Sequence, residues 1–293
     1  MARMMSDGRG FIAALDQSGG STPGALKAYG LAETEYSGDA EMFALIQAFR
    51  VRIMTAPSFT ADKVIAAILF EATMDGRIGE VPVPTFLWAE RGIVPFLKVD
   101  KGLEAEVDGV SLMKPMPTLD AVLERAVGLG IFGTKMRSTI RLASQSGIAS
   151  IVAQQFEIAA RIADFGLLPI LEPEVLIKSP DKAAAEAILL DELLRGLDAL
   201  SADRDVMVKL TIPEVRDHYT TLIAHPRVTR VVALSGGYTR DEACRKLATD
   251  HGMIASFSRA LIGDLRHDMD DATFDATLKT AIDQIYLAST VKD

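Results

Sequence analysis

The stretch VMVKLTIP, residues 206–213, has the continuous apolar character of a strand buried on both faces, yet it contains Lys209. A buried ammonium group without a partner carries a large desolvation penalty. Either the strand ends at Lys209 in a polar cleft, or the charge is needed for chemistry. The rest of the chain decides between these two interpretations.

Seven similar runs rich in Val, Ile and Leu recur along the chain. They are GFIAALD (10–16), VIAAILFE (64–71), GIVPFLKVD (92–100), IFGTKMR (131–137), LLPILEPEV (167–175), VTRVVALS (228–235) and MIASFSRAL (253–261). Strands without polar alternation are typical of a parallel sheet. A helical pattern follows each run, as in 151–165 and 182–200. Eight such units without a linker predict α/β architecture, a single (β/α)8 TIM barrel domain spanning 1–293, with an open doubly wound sheet as the rival.

Composition restricts the class of protein. Hydrophobic residues make up 49% of the chain and the formal net charge is -9, which favours a folded protein without a nucleic-acid-binding surface. The single cysteine and four histidines show no metal-ligand spacing, so we expect no metal and no cofactor. The sequence has neither a signal-peptide core nor a run of about 18 apolar residues. We therefore expect a cytoplasmic protein with no membrane partner, while a homo-oligomer stays open.

Charged side chains stand late in several of these runs. Four of them, separated by equal intervals along the chain, are Lys98, Lys135, Glu172 and Lys209. Other runs end at polar residues that include Asp16, Glu71, Ser235 and Arg259. Because the carboxyl ends of barrel strands meet at one mouth, we expect residues far apart in sequence to converge there.

Several lysines gathered with carboxylates in one cleft suit covalent amine chemistry. A free lysine has a pKa of about 10.4, and lowering it by about three units leaves about 30% of the amine neutral at pH 7, at a cost near 4 kcal/mol. Burial and a second cation, for which Lys135 is a candidate, both act in that direction, and Glu172 could transfer protons. The alternative is an ion-pair network that only holds the barrel mouth together.

Two glycine-containing stretches have the features of phosphate sites. In ALSGGY (233–238) the glycines let backbone amides approach an anion beside Ser235, and the next run supplies Arg259. The second stretch, DQSGGS (16–21), is equally compatible with a simple turn. It offers the hydroxyls of Ser18 and Ser21. Two anion sites would imply a doubly phosphorylated substrate.

These segments together resemble a known family. GFIAALDQSGGSTP, FLKVDKG, GTKMRS, PILEPE, VMVKLTIP, LSGGY and SFSRAL, in this order, are similar to class I fructose-1,6-bisphosphate aldolases, most closely the short bacterial type. The resemblance implies a metal-independent lyase that forms a Schiff base. Its reaction would be reversible cleavage of fructose 1,6-bisphosphate to dihydroxyacetone phosphate and glyceraldehyde 3-phosphate, in glycolysis or gluconeogenesis.

The resemblance also implies roles for individual residues. The catalytic set consists of the Schiff-base lysine Lys209, the general acid/base Glu172, the orienting carboxylate Asp16, the assisting cation Lys135 and the supporting glutamate Glu174. The substrate-binding set consists of Ser235, Gly236 and Arg259 on the dihydroxyacetone side, of Ser18, Ser21 and Lys98 at the other end of the sugar, and of Arg137 beside Lys135.

The chain departs from the family pattern at several positions. Gln17 stands where glutamate is common, and Gly24 and Ala25 stand where animal members carry a basic pair. Animal members also have a long tail with a functional tyrosine, whereas this chain ends soon after its last helix, so Tyr286 receives no such role. Two alternative functions stay open: another lysine-dependent sugar-phosphate aldolase or transaldolase-like enzyme, and a non-catalytic barrel that binds sugar phosphates.

Overall fold

The eight apolar runs form eight parallel strands of a closed barrel. A computed structural model of the chain describes residues 1–17 and 22–293. Its barrel strands are β1 (Phe11–Leu15), β2 (Val64–Leu69), β3 (Val94–Lys98), β4 (Gly133–Ile140), β5 (Leu168–Val175), β6 (Val206–Thr211), β7 (Val228–Leu234) and β8 (Ile254–Phe257). Each strand pairs with its neighbours in chain order, β8 pairs with β1, and Lys98 lies opposite Lys135 in the β3–β4 pairing. The barrel prediction is confirmed, and the open sheet is excluded.

The strands alternate with helices, most of which connect one strand to the next on the outside of the barrel. They are α1 (Ala2–Asp7), α2 (Thr22–Tyr29), α3 (Gly38–Thr55), α4 (Glu71–Met74), α5 (Val83–Thr85), α6 (Leu119–Gly128), α7 (Gln145–Asp164), α8 (Lys182–Asp198), α9 (Thr220–Ile223), α10 (Arg240–Ala248), α11 (Arg259–Ile262) and α12 (Asp271–Thr290), with a 3-10 turn at Glu33–Glu35 and a π-helical turn at Phe86–Glu90. The predicted helices at 151–165 and 182–200 are confirmed, although α7 ends one residue and α8 two residues before the predicted ends.

Between β2 and β3, the expected helical segment is not one continuous helix. This connection contains short helical turns and a two-stranded hairpin of Arg77–Ile78 with Val81–Pro82. Pro82 and Pro84 lack the backbone N–H that a continuous helix needs, which accounts for the interruption. Another short strand, Val110–Ser111, lies antiparallel to β4.

Two apolar layers hold the barrel together, one outside the sheet and one inside it. The inner layer is formed by alternate strand residues, among them Ile12, Ile68, Phe96, Ile170, Met207, Val232 and Ile254. Met5 of α1 is fully buried in the same layer, so α1 covers the amino-terminal end of the barrel. Apolar side chains therefore fill the interior toward the amino-terminal end of the barrel, and polar side chains occupy the carboxyl-terminal mouth.

Four predicted strand ends need correction. Lys135 and Glu172 lie within their strands, because β4 and β5 continue for several residues beyond them. Arg259 lies beyond β8, at the first position of α11. Glu71 begins α4 outside β2, and its carboxylate contacts Lys101 and Arg125, so it does not join the other charges at the mouth. These positions differ because apolar runs locate strands better than they locate strand ends.

Candidate active site

A cavity of about 740 Å³ lies at the mouth of the barrel. Of the predicted site residues, the ones that the structure describes all line this cavity: Asp16, Lys98, Lys135, Arg137, Glu172, Glu174, Lys209, Ser235, Gly236 and Arg259. Ser18 and Ser21 lie outside the described residues. The placement follows from the alternation of side chains along each strand, since the residues two positions below Glu172 and Lys209 belong to the inner apolar layer.

Four buried side chains form a row of alternating charge across the cavity floor. Lys135 Nζ lies 2.6 Å from Asp16 Oδ2 and 2.8 Å from Glu172 Oε2. The other oxygen of this carboxylate, Glu172 Oε1, lies 2.9 Å from Lys209 Nζ. Glu172 Oε2 has no aligned hydrogen bond from the described residues, so its contact with Lys135 is electrostatic. Glu172 thus bridges Lys135 and Lys209, and Lys135 bridges Asp16 and Glu172.

The contacts of this row keep its two carboxylates and Lys135 ionised. Burial alone would raise the pKa of Asp16, but the fields of Lys135 and then Lys209 lower it well below its usual range. The pKa of Glu172 is also lowered, because the same two lysines outweigh its burial. For Lys135, burial opposes the charge, yet Asp16 and Glu172 raise its pKa. Glu172 is therefore a carboxylate at neutral pH, ready to accept a proton.

A second network surrounds this row on β3, β4 and β5. Lys98 Nζ donates to both the backbone carbonyl and Oδ1 of Asp100, each at 2.7 Å. Asp100 Oδ2 accepts from the backbone N–H of Arg137 at 3.2 Å, and the Arg137 side chain contacts Glu174 Oε2 at 2.5 Å. Burial opposes the charge of Arg137, but Glu174 and then Glu172 raise its pKa. These contacts compensate the cations that lie next to Lys135.

The loop after β7 has the backbone shape that an anion site needs. Gly236 and Gly237 have φ values of 58° and 112°, which side-chain-bearing residues rarely adopt. A Cβ atom on Gly237 would lie 3.6 Å from Arg259 Nη2, so the guanidinium lies directly over this loop. Ser235 is buried at its start. The loop and Arg259 together could hold a phosphate group.

Four polar residues near the cavity have no role that the sequence alone predicts. Ser256 lines the cavity, and its buried hydroxyl has no partner among the described residues. Gln17 Nε2 donates to Ser258 Oγ at 2.6 Å, linking the end of β1 to the start of α11. Asp100 stands two residues after Lys98 and accepts a hydrogen bond from it. Arg50 lies on the buried face of α3. The sequence feature that indicates the burial of Arg50 is its helical spacing from the apolar residues Ile46 and Ile53.

None of the histidines at positions 218, 225, 251 and 267 lines the cavity. The described residues contain no group of three or more His, Cys, Asp or Glu side chains that could hold a metal ion. In the same part of the chain, no helix is long and apolar enough to cross a membrane.

Fold and site together define a class of protein, a parallel (β/α)8 barrel with a lysine–carboxylate centre at its mouth. The family model described as glycolytic, fructose-bisphosphate aldolase class-I, matches residues 1–212. The chain belongs to the class-I fructose-bisphosphate aldolase family. It is 53% identical over 287 residues to the fructose-bisphosphate aldolase class 1 of Porphyromonas gingivalis, covering 98% of this chain and 97% of the relative. The protein of the same description from Synechocystis sp. is also 53% identical, covering 98% and 96%.

Solved structures of low sequence identity share the fold. The fructose-bisphosphate aldolase of Plasmodium falciparum superposes with a TM-score of 0.78 at 19% identity, over 100% of this chain and 94% of that one. An archaeal fructose-1,6-bisphosphate aldolase, with its catalytic lysine covalently bound to the carbinolamine intermediate of its substrate, gives a TM-score of 0.53 at 13% identity, over 97% and 98%. These similarities support the barrel architecture.

Proposed function

We propose that this chain is a Schiff-base aldolase that reversibly cleaves fructose 1,6-bisphosphate into dihydroxyacetone phosphate and glyceraldehyde 3-phosphate. The observation that carries the proposal is the 2.9 Å contact between Lys209 Nζ and Glu172 Oε1, both of which are buried in the cavity at the barrel mouth. An amine beside a carboxylate can give up its proton and attack a ketone. Membership of the aldolase family specifies the ketose.

The first half of the reaction builds the iminium. Glu172 accepts a proton from the Lys209 ammonium, and the neutral amine adds to the C2 carbonyl to give a carbinolamine. Glu172 then returns a proton to the carbinolamine hydroxyl, which leaves as water. The lowered pKa of Glu172 means that its side chain starts the reaction deprotonated, and its contact with Lys209 supplies the short proton path.

The second half breaks the carbon–carbon bond. Glu172 removes the proton of the C4 hydroxyl, the C3–C4 bonding electrons move into the iminium, and glyceraldehyde 3-phosphate leaves. The remaining enamine is protonated at C3 and hydrolysed to dihydroxyacetone phosphate. The carboxylate of Asp16, held against Lys135, stabilises the cationic iminium and orients it. Glu174 supports Glu172 from two residues further along β5.

The cavity has cationic groups for both phosphates. We assign Ser235, Gly236 and Arg259 to the phosphate of the dihydroxyacetone half and Lys98 to the other half of the sugar. Arg137, beside Lys135, lines the same cavity. Ser18 and Ser21 belong to the same proposal on the ground of sequence resemblance. The wall at Gly24 and Ala25 carries no cation, so affinity for the second phosphate depends on these other groups.

The test compares cleavage of fructose 1,6-bisphosphate and fructose 1-phosphate, each with and without a chelator. We expect the bisphosphate to be preferred, the chelator to have no effect, and K209M to lose cleavage. K182M is the matched control, because Lys182 is equally buried and ion-paired but lies outside the cavity. Equal turnover of the monophosphate would favour another lysine-dependent aldolase, and absence of any cleavage would favour a binding barrel.

A further inference from the structure

Arg50 is a buried cation that the aldol mechanism above does not use. Its side chain is 2% exposed, and it extends from the apolar face of α3 toward the end of β1. Nη1 donates to Thr73 Oγ1 at 3.0 Å, Nη2 donates to the backbone carbonyl of Gln17, and the guanidinium lies 5.6 Å from the centre of the Phe70 ring. These partners are all neutral, and Nε has no hydrogen-bond partner among the described residues.

A buried guanidinium with neutral partners is expensive to retain for stability alone, since an apolar residue of similar volume packs at lower cost. Burial lowers the pKa of Arg50 to about 10, and the negative charge of Asp16 opposes that change. The guanidinium therefore interacts electrostatically with Asp16. Gln17, whose carbonyl Arg50 binds, is the residue that directly follows Asp16.

We propose that Arg50 is a positioning residue for the aldolase reaction, which holds the backbone after β1 in place and supplies positive potential behind Asp16. Arg50 does not line the cavity, so it acts through Asp16 and not on the substrate. The fixed fork of a guanidinium suits this task, because it binds Thr73 and the Gln17 carbonyl at the same time. This inference rests on the proposed function.

Asp16 is surrounded by charged groups from several elements, and Arg50 adds one more positive charge to them. Lys98, Lys135 and Lys209 approach it from β3, β4 and β6, and Glu172 opposes it from β5. Arg50 is the cation on the α3 side of this carboxylate. Removing Arg50 therefore leaves the lysine contacts intact but weakens the field that keeps Asp16 ionised as the pH falls.

The experiment measures kcat and KM for fructose 1,6-bisphosphate against pH in the wild type, R50M, R50K and T73V. We expect kcat of R50M to fall about 10- to 100-fold with KM changed less than about threefold, which corresponds to about 1.4–2.7 kcal/mol at the transition state. The acid limb of its kcat/KM profile should move to higher pH. R50K keeps the charge, so its acid limb should stay at the wild-type pH while kcat falls at least threefold. T73V removes one partner only and should keep the wild-type acid limb.

K182M controls for the general cost of removing a buried cation, and it should lose stability without moving the acid limb. A folded R50M with the wild-type acid limb and kcat would overturn the proposal. If R50M does not fold, R50K decides, and unchanged kcat in R50K would reject the positioning role. Absence of cleavage in the wild type would instead contradict the proposed function, so the two failures are distinguishable.

Discussion

Lys135 is the residue whose removal has the most definite consequence for the network at the barrel mouth. The side chain is 3% exposed and touches two carboxylates, at 2.6 Å and 2.8 Å. In K135M, Glu172 keeps its contact with Lys209, whereas Asp16 keeps no ion pair among the described residues. Removing one partner of a buried ion pair costs about 3–5 kcal/mol, against a total stability of about 5–15 kcal/mol. We therefore expect K135M to lose about 3–5 kcal/mol of unfolding free energy at pH 7.

The pH dependence of this loss follows from the direction of each pKa shift. The pKa values of Asp16 and Glu172 are lowered from 3.8 and 4.5, so their contribution is complete above those values and is lost as pH falls through the folded pKa values. The pKa of Lys135 is raised from 10.5, so its contribution is complete below that value and is lost only as pH rises through the folded one. The difference between wild type and K135M should be constant from about pH 5 to 9 and shrink toward pH 3.

The assay is urea unfolding followed by circular dichroism between pH 3 and pH 9. With a slope of about 3 kcal/mol per molar urea, the midpoint of K135M should fall by about 1–1.7 M at pH 7. K101M is the control. Lys101 pairs with Glu71, but the Lys101 side chain is 43% exposed, so this ion pair should contribute less than about 1 kcal/mol to the unfolding free energy. The reasoning is refuted if K135M and K101M lose the same stability, or if the loss in K135M does not depend on pH.

Three further predictions concern the active site. In E172Q, kcat for fructose 1,6-bisphosphate should fall about 10²- to 10⁴-fold while KM changes little, because the proton-transfer group is lost; steady-state kinetics checks this, and a kcat within threefold of wild type would contradict it. R259M should weaken binding of dihydroxyacetone phosphate about 10- to 100-fold, since a charged hydrogen bond contributes about 1.5–3 kcal/mol; isothermal titration measures it, and unchanged affinity would exclude this residue from the phosphate site. G236A should lose about 1–2 kcal/mol of stability, because its φ is 58° and a Cβ would lie 2.6 Å from Ile177 Cγ2; thermal unfolding tests this, and a wild-type melting temperature would contradict it.

The barrel could be predicted from the sequence because its strands are buried on both faces. Each apolar run, such as the one around Lys209, reports burial directly, and parallel strands require helical crossovers, so the pattern restricts the topology to very few choices. The ends of helices and strands are harder to predict from the sequence. The run at 253–261 predicts Arg259 on β8, but this residue begins α11, since the backbone of a short apolar run can continue as strand or turn with the same side chains buried.

The candidate site could be predicted where charge interrupts an apolar strand, as at Lys135, Glu172 and Lys209. Residues supplied by other elements gave weaker signals. Arg50 is placed by α3 and contacts the chain after β1 only through the folding of the barrel. Ser256 has no charge to distinguish it from its apolar neighbours, although it occupies the inward-facing position next to Ile254 on β8. Such contributions depend on tertiary contacts that no local pattern contains.

The most direct measurement is borohydride trapping of the protein with dihydroxyacetone phosphate, followed by peptide mass mapping. A Schiff base on Lys209 would be reduced to a stable secondary amine on that residue alone, with the same yield when a chelator is present. Lys135 and Lys98, although they line the same cavity, should stay unmodified. An adduct on another lysine, or turnover without any trapped adduct, would contradict the account in which Lys209 forms the covalent intermediate.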